Sequence, residues 1–303
     1  MIIDLPDTRT AAISDKLKEL REKVGVARMG RILTLVIAPE RDAMLEESIQ
    51  AATAASHEHP SRIIAVRIGD RSAADPRLDA QLRTGGDTAA AEVVVLALSG
   101  PVTEHAGSVV LRFLLPDLPV AVWWPENAPA APARDPLGKL ASRRITDATN
   151  GADPLSAITS RLPGYMPGDT DLAWSRITYW RALLASAMDQ PPHEPIISAL
   201  VSGLRTEPAL DVLAGWLASR TDGPVRRAVG DLKVELVRPT ETMTLSRPQH
   251  SVTVTLSRTG KPDAQLPLAR RDTPECLAEE LRHWTPDPIY GEALEGIDRV
   301  QYV

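Results

Sequence analysis

Asp169-Thr170-Asp171-Leu172-Ala173-Trp174-Ser175-Arg176-Ile177-Thr178-Tyr179-Trp180-Arg181-Ala182-Leu183-Leu184-Ala185-Ser186-Ala187-Met188 separates two kinds of sequence. The stretch predicts one amphipathic helix. Asp169 or Thr170 supplies an N-cap oxygen for the orphan N–H groups of the first turn, and Asp171 adds negative charge at the positive end of the dipole. At 3.6 residues per turn, Leu183, Ala187, Trp180, Ala173, Leu184, Ile177, Met188 and Trp174 fall on one broad arc, with Arg176 and Arg181 at its edges. Pro191-Pro192 stops it, because proline can neither donate to the helix nor let its predecessor stay helical.

Upstream, strands and helices alternate. Thr10–Lys23 carries Ile13, Leu17, Leu20 and Val24 on one stripe and ends at Gly25. Arg31–Ala38, Ser61–Ile68, Glu92–Leu98 and Pro119–Trp123 are short, β-branched apolar runs, the pattern of strands covered on both faces. Helices are expected between them, one through Ser56 and one from a Thr103 cap through Leu114. A further strand is expected at Leu78–Leu82 and another at Arg144–Asp147. This order predicts a mostly parallel sheet flanked by helices over residues 1–165, Rossmann-like but without a dinucleotide motif.

Downstream, Glu207–Arg220 is a helix with proline in its first turn, where a missing N–H costs nothing. Leu232–Arg238, His250–Arg258 and Gln265–Arg270 read as strands, with a further one at Ile196–Leu200. In the middle one Val252, Val254 and Leu256 alternate with Ser and Thr, a period of two that places one face in water and predicts an antiparallel sheet. Thr273–Trp284 and Asp287–Gly296 are helices. Residues 166–303 are therefore expected to form an α+β domain opening with the Trp-rich helix.

Composition excludes several classes of function. The chain has 303 residues, 43% hydrophobic and 24% charged, with a net charge of −6. That acidity opposes a sequence-independent grip on nucleic acid. No apolar run is long and uninterrupted enough to span a bilayer, and the first residues lack the pattern of a secretory signal, so a cytoplasmic protein without membrane attachment is expected. The single cysteine, Cys276, cannot form an internal disulfide. No G-x-G-x-x-G follows a strand, and Walker A, G-x-S-x-G and H-E-x-x-H are absent. His57-Glu58-His59 has the wrong spacing for one helix face. Gly85-Gly86-Asp87 reads as a plain turn. Neither catalytic residues, metal ligands nor a cofactor are expected.

Ligands of an open parallel sheet sit beyond the carboxyl ends of its strands. Those ends carry Pro39-Glu40-Arg41, Ser99-Gly100-Pro101-Val102-Thr103 and Trp123-Trp124-Pro125-Glu126. Thr103 and the following N–H groups could hold an anion. The prolines remove donors and stiffen these turns, which favours a fixed contact surface over a closing loop. A sugar-phosphate or nucleotide sensor or enzyme using this edge is the alternative. The chain holds 6 Trp, 4 Tyr and 1 Phe; most of the tryptophans are expected in the core, and some can anchor a partner.

Several segments together resemble one family. They are Leu78-Asp79-Ala80-Gln81-Leu82-Arg83-Thr84-Gly85-Gly86-Asp87, the run Leu115-Pro116-Asp117-Leu118-Pro119 continuing through Val120-Ala121-Val122-Trp123-Trp124-Pro125, and Asp135-Pro136-Leu137-Gly138. Arg143-Arg144-Ile145-Thr146-Asp147, Gly168-Asp169-Thr170-Asp171-Leu172-Ala173-Trp174 and Leu213-Ala214-Gly215-Trp216-Leu217-Ala218-Ser219-Arg220 complete the set. The chain is similar to the OpcA family, the glucose-6-phosphate dehydrogenase assembly proteins. The resemblance implies a partner rather than a catalyst: a subunit that binds glucose-6-phosphate dehydrogenase, promotes its active oligomer and so feeds the oxidative pentose phosphate pathway and NADPH supply. It supplies no catalytic residues. Thiol-redox control through paired cysteines does not carry over to a chain with Cys276 alone. Trp123, Trp124, Arg176, Trp180 and Arg181 are the candidate interface residues, and a homo-oligomer is a further possibility.

Overall fold

A computed structural model describes residues 1–23, 32–84, 91–249 and 251–303. The expected helix end at Val24-Gly25, the Gly85-Gly86-Asp87 turn, and the proposed strand starts at Arg31 and His250 lie outside the described residues. In chain order the elements begin β1 (Ile2–Leu5), α1 (Thr10–Lys23), β2 (Leu33–Ile37), α2 (Asp42–Ala55), β3 (Ser61–Ile68), β4 (Arg77–Arg83) and β5 (Ala91–Ser99). They continue as α3 (Ala106–Leu111), β6 (Val120–Trp124), β7 (Arg143–Thr146), α4 (Pro154–Thr159), β8 (Asp169–Asp171), α5 (Leu172–Arg176) and α6 (Thr178–Met188). Next come β9 (Ser198–Gly203), α7 (Pro208–Ala218), β10 (Val225–Val229), β11 (Lys233–Val237), β12 (Thr242–Ser246), β13 (Thr253–Arg258) and β14 (Lys261–Pro267). The chain closes with α8 (Thr273–Arg282), α9 (Pro288–Ile297) and β15 (Val300–Tyr302).

The chain divides into two compact units. The first takes Met1–Asp147, Gly168–Thr170 and Thr273–Pro286; the second takes Ala148–Pro167, Asp171–Asp272 and Asp287–Val303.

The first unit is built on an eight-stranded sheet in the order β1-β4-β5-β3-β2-β6-β7-β8. The strands β5, β3, β2, β6 and β7 run parallel, and β4 and β1 add antiparallel partners at one side. All five residues of β2 and of β6 are buried, as strands covered on both faces must be. Val36, Ile64, Val94 and Val122 share one core with Ile13 and Leu17 of α1 and with Val109, Val110 and Phe113. Their neighbours in the pleat, Leu35, Ile63 and Trp123, are equally buried, and α2 packs on β2, on β3 and on α8. Within this unit the buried Arg143 of β7 pairs with Glu280 of α8. Cys276 is wholly buried in α8, so its thiol has no route to a redox partner.

The second unit holds a seven-stranded sheet, β14-β13-β12-β11-β9-β10-β15. It is antiparallel from β14 to β9, as the alternating pattern predicts, and parallel among β9, β10 and β15. Val252 lies before β13 and is exposed, so the inward residue of that pattern is Val254. The helices α7 and α9 cross at two glycines. A Cβ on Gly215 would stand 2.2 Å from the Ala293 carbonyl oxygen, and one on Gly296 would stand 2.1 Å from the Gly215 carbonyl oxygen. Only bare backbone allows that approach.

The Trp-rich stretch is not one helix. Asp169–Asp171 form an edge strand, and the N-cap is Asp171, whose carboxylate accepts from the Ala173 N–H. Ile177, at φ −100° and ψ 4°, separates α5 from α6. The expected arc nevertheless faces inward: Ala173, Trp174, Ile177, Trp180, Leu184 and Ala187 join the core of the second unit, and Leu183 and Met188 pack against it half-buried. Helix α6 ends at Met188 before either proline. Its last carbonyls are taken by Arg238, which donates to Met188 O at 2.6 Å and Gln190 O at 3.2 Å, as cations at helix C-termini do.

Arg238 belongs to a buried clamp centred on Glu241. Arg258 donates to both oxygens of that carboxylate at 2.8 Å, and Lys261 lies 3.5 Å away. The Arg258 hydrogen bonds hold the Glu241 carboxyl below its ordinary value of 4.5. A depressed folded-state value means that the clamp's contribution is complete above 4.5 and is lost as pH falls through the lower folded value. Glu241→Gln should therefore lower the melting temperature near neutrality and flatten its decline in acid. Melts from about pH 6 to about pH 3 check this; parallel acid limbs for both proteins would remove Glu241 from the titration.

Candidate functional site

In the first unit the strand order reverses between β2 and β6, since β3 and β5 lie to one side of β2 and β6 and β7 to the other. That crevice is where an open parallel sheet places its ligands. It opens here into a cavity of about 850 Å³ lined by the turns after β2, β3, β5 and β6. The lining is acidic: Glu40, Asp70, Glu104, Glu126 and Asp135 face it with Arg71. The Ser72 hydroxyl, 2.6 Å from Asp70, holds that carboxyl below its ordinary value.

The backbone donors of the turn after β2 and the Thr103 hydroxyl are already engaged. Glu126, its side chain 1% exposed, accepts from the backbone N–H of Arg41 at 2.8 Å and of Glu40 at 3.2 Å. Its other oxygen pairs with the Arg41 side chain. A phosphate entering this turn would have to displace a buried, hydrogen-bonded carboxylate inside a negatively charged wall, and the Coulomb term opposes it. Thr103 does not cap a long helix as the sequence suggests. Gly100–His105 is a 3-10 turn, α3 has six residues, and the Thr103 hydroxyl is spent on Gly100 O at 2.7 Å. Such geometry speaks against the sugar-phosphate or nucleotide alternative at this edge.

Of the five candidate interface residues, Trp123 and Trp124 are 1% and 5% exposed in the first unit. Little of either ring reaches the surface, although Trp124 lines the cavity at the β2/β6 crevice. The other three lie in the second unit. Arg181 stacks its guanidinium 3.4 Å from the centroid of Trp174, whose indole N–H donates to Asp287 at 2.8 Å. The Trp174 ring in turn meets Tyr290 at 5.8 Å. Arg176 and Trp180 line a separate cavity of about 220 Å³.

That smaller cavity gathers residues from distant segments. Trp180 forms part of its wall, with Ile177, Leu210, Leu232 and Leu268 as apolar lining. Around them stand Arg176, Arg247, Arg270 and Arg271, against one acid, Glu207. Arg176 donates to the Thr149 hydroxyl at 3.0 Å, Arg270 lies 3.2 Å from Glu207, and Arg271 donates to Ser175 O at 2.9 Å and covers the exposed Tyr179 ring at 5.1 Å. The sequence reading reached Arg176 and Trp180 through helical periodicity and missed Arg247, Arg270 and Arg271. The doubled arginine just before α8 was the signal available.

Among the described residues no group of three or more His, Cys, Asp and Glu could hold a metal ion, and no helix is long and apolar enough to cross a membrane.

The comparisons with known proteins bear on both units. A family model described as the glucose-6-phosphate dehydrogenase subunit N-terminal domain matches residues 52–162, and one described as the C-terminal domain of that subunit matches residues 167–294. A protein of Synechococcus elongatus described as a putative OxPP cycle protein OpcA is 30% identical over 138 residues, which cover 43% of this chain and 31% of that protein. The match thus spans about a third of that relative's length. Among solved structures, an aldose-aldose oxidoreductase from Caulobacter crescentus complexed with glycerol is similar at 12% identity and a TM-score of 0.49, covering 88% of this chain and 96% of that one. An E. coli trehalose-6-phosphate protein bound with UDP-2-fluoro glucose is similar at 7% identity and a TM-score of 0.26, over 65% and 64% of the two chains. Neither structural likeness bears on activity.

Proposed function

The chain belongs to the OpcA family, and on that premise we propose that it is a non-catalytic subunit of glucose-6-phosphate dehydrogenase that binds the enzyme and promotes its active oligomer. The observation that carries the reading is the pair of dehydrogenase-subunit domain models, one on each half of the chain. The self-occupied turn at the β2/β6 crevice supports it, because the fold's customary nucleotide position is filled by the Glu126 carboxylate. The reading places the protein in the oxidative pentose phosphate route to NADPH, in the cytoplasm.

An activator shifts an enzyme's equilibrium only by binding one state better than another. We assign the docking contact to the second unit, where Arg176 and Arg181 are partly exposed at the edge of the buried Trp174 and Trp180. Guanidinium forks there can pair with carboxylates of an enzyme surface.

The test is a steady-state assay of the cognate dehydrogenase with and without this protein, titrating glucose 6-phosphate, and the same mixture on a sizing column with mass detection. A joint peak with a raised rate or lowered KM is expected. A joint peak with unchanged kinetics would replace the activator by a scaffold, and separate peaks with unchanged kinetics would overturn the reading.

A further inference from the structure

The arginine-lined cavity of the second unit holds a buried guanidinium that makes no ion pair among the described residues. Arg247 is 7% exposed, its Nε is buried without a hydrogen-bond partner, and no carboxylate lies within ion-pairing distance of it among the described residues. One Nη donates to Leu268 O at 3.2 Å, and the guanidinium faces the Trp180 ring at 5.6 Å. Burial and then the neighbouring Arg270 push the Arg247 pKa down, and the Glu207 carboxylate offsets them only in part. A buried guanidinium with an unused donor is costly unless something anionic meets it. Elsewhere in this unit buried arginines have carboxylates: Arg161 has Asp171, Arg227 has Asp211 and Arg258 has Glu241. Arg247 departs from that pattern, and it does so in the wall of a cavity.

Two further features of the cavity favour an anion, and its walls and volume set the size of the rest of the ligand. Its lining holds four arginines against Glu207. The first residues of α7, Pro208, Ala209 and Leu210, are part of that lining, which brings the positive end of an eleven-residue helix to the cavity wall. The remaining walls are apolar and aromatic, with Tyr179 and Trp180 placed to flank a short carbon skeleton. The volume of about 220 Å³ is below the roughly 300 Å³ at which drug-sized pockets begin. It suits a compact ester and excludes a dinucleotide.

We propose that this cavity binds a small phosphomonoester, its phosphate held by Arg247 and Arg270 and its carbon skeleton lying against Trp180 and Tyr179. Guanidinium forks match phosphate oxygens in a bidentate geometry that lysine cannot reproduce. The site is separate from the acidic crevice of the first unit, and it needs no partner protein to be occupied.

The experiment uses the whole chain alone, with glycerol 3-phosphate, glucose 6-phosphate and inorganic phosphate as probes and glycerol and glucose as uncharged controls. Calorimetric titration and thermal shift are read together, since a ligand of the native state raises the melt by mass action. Saturable binding of at least one phosphate ester in the micromolar to millimolar range is expected, with no response to the uncharged controls. Arg247→Met should weaken it about tenfold or more, the loss of a charge-assisted contact. Because a buried substitution can disturb folding, Arg270→Ala is the companion: its side chain is 56% exposed, and its fold should survive while affinity falls several-fold. Equal affinity in wild type and both variants would overturn the assignment. So would an equal response to glucose and glucose 6-phosphate, or no binding of any phosphate probe into the millimolar range. Since no dehydrogenase is present, these outcomes are independent of the partner assay.

Discussion

Asp171→Ala should destabilise the second unit by about 3–5 kcal/mol, which lowers the melting temperature by roughly 10 °C for a unit of this size. The residue is fully buried and does three things at once. It caps α5 through the Ala173 N–H at 2.9 Å, it accepts from the Ala148 N–H at 3.0 Å, and it neutralises the buried Arg161 at 3.0 Å. Loss of the cap alone costs about 1 kcal/mol. The larger part comes from leaving Arg161, 6% exposed, as a buried cation without its counter-ion. Asp171→Asn keeps an acceptor oxygen and removes the charge, so its melt should fall between wild type and alanine. The check is a thermal or urea melt of all three proteins. An alanine variant within about 1 kcal/mol of wild type would mean that water reaches Arg161 and satisfies it in place of the carboxylate.

Where the sequence repeats a simple period, the fold was legible in it. The boundaries of α1 and β3 follow directly from the stripe of Ile13, Leu17 and Leu20 and from the apolar run Ser61–Ile68. Other elements have no such signal. Val225-Arg226-Arg227-Ala228-Val229 carries two arginines and has no strict alternation, so the sequence reading gives it no element, yet β10 pairs on both sides, and the buried Arg227 is met by Asp211 of α7. The strands β1 and β15 are too short to show a period, whereas β12 carries one, Met243 and Leu245 alternating with Thr242, Thr244 and Ser246, that the sequence reading missed. The Trp-rich stretch has an uninterrupted helical pattern, and local propensity cannot show that Asp169 and Thr170 are drawn into an edge strand. The draw is tertiary: Asp169 pairs with Arg144, and the Thr146 hydroxyl donates to the Thr170 carbonyl at 3.0 Å.

The candidate site divides along the same line. A helical period finds Arg176 and Trp180, which lie four residues apart in one stretch even though Ile177 divides it into α5 and α6. It cannot find Arg247, which follows β12, or Arg270 and Arg271, which follow β14, because what unites them is the folding of a sheet. The crevice shows the converse. Its position at the carboxyl ends of the strands was legible from alternation, but its chemistry was not. Glu126 looks like any acid in a Pro/Ala-rich loop until its carboxylate is seen on the Glu40 and Arg41 N–H groups.

Trp124→Ala separates the two roles that a double tryptophan at a strand end can play. A docking anchor, once truncated, would lose dehydrogenase activation and keep its melt. The observed placement predicts the opposite order of effects. The ring is 5% exposed and packs in the same core as Val122 and Leu137. It also sits so close to the backbone of Gly138 that a Cβ there would meet its Cη2 at 3.2 Å. Truncating a large aromatic in such a setting costs about 3–5 kcal/mol, the lost transfer term plus the cavity left behind. Trp124→Ala should therefore melt at a clearly lower temperature. Trp124→Phe, which leaves a smaller void, should recover much of the difference. Activation measured well below the melt of the alanine variant then decides the matter: retained activation makes Trp124 a packing residue, and lost activation with an unchanged melt would return it to the interface. On the proposed function the partner contact falls to the partly exposed Arg176 and Arg181; substituting Arg176 should weaken the complex, and substituting Arg181 should also lower the melt, because its guanidinium stacks 3.4 Å from the Trp174 centroid.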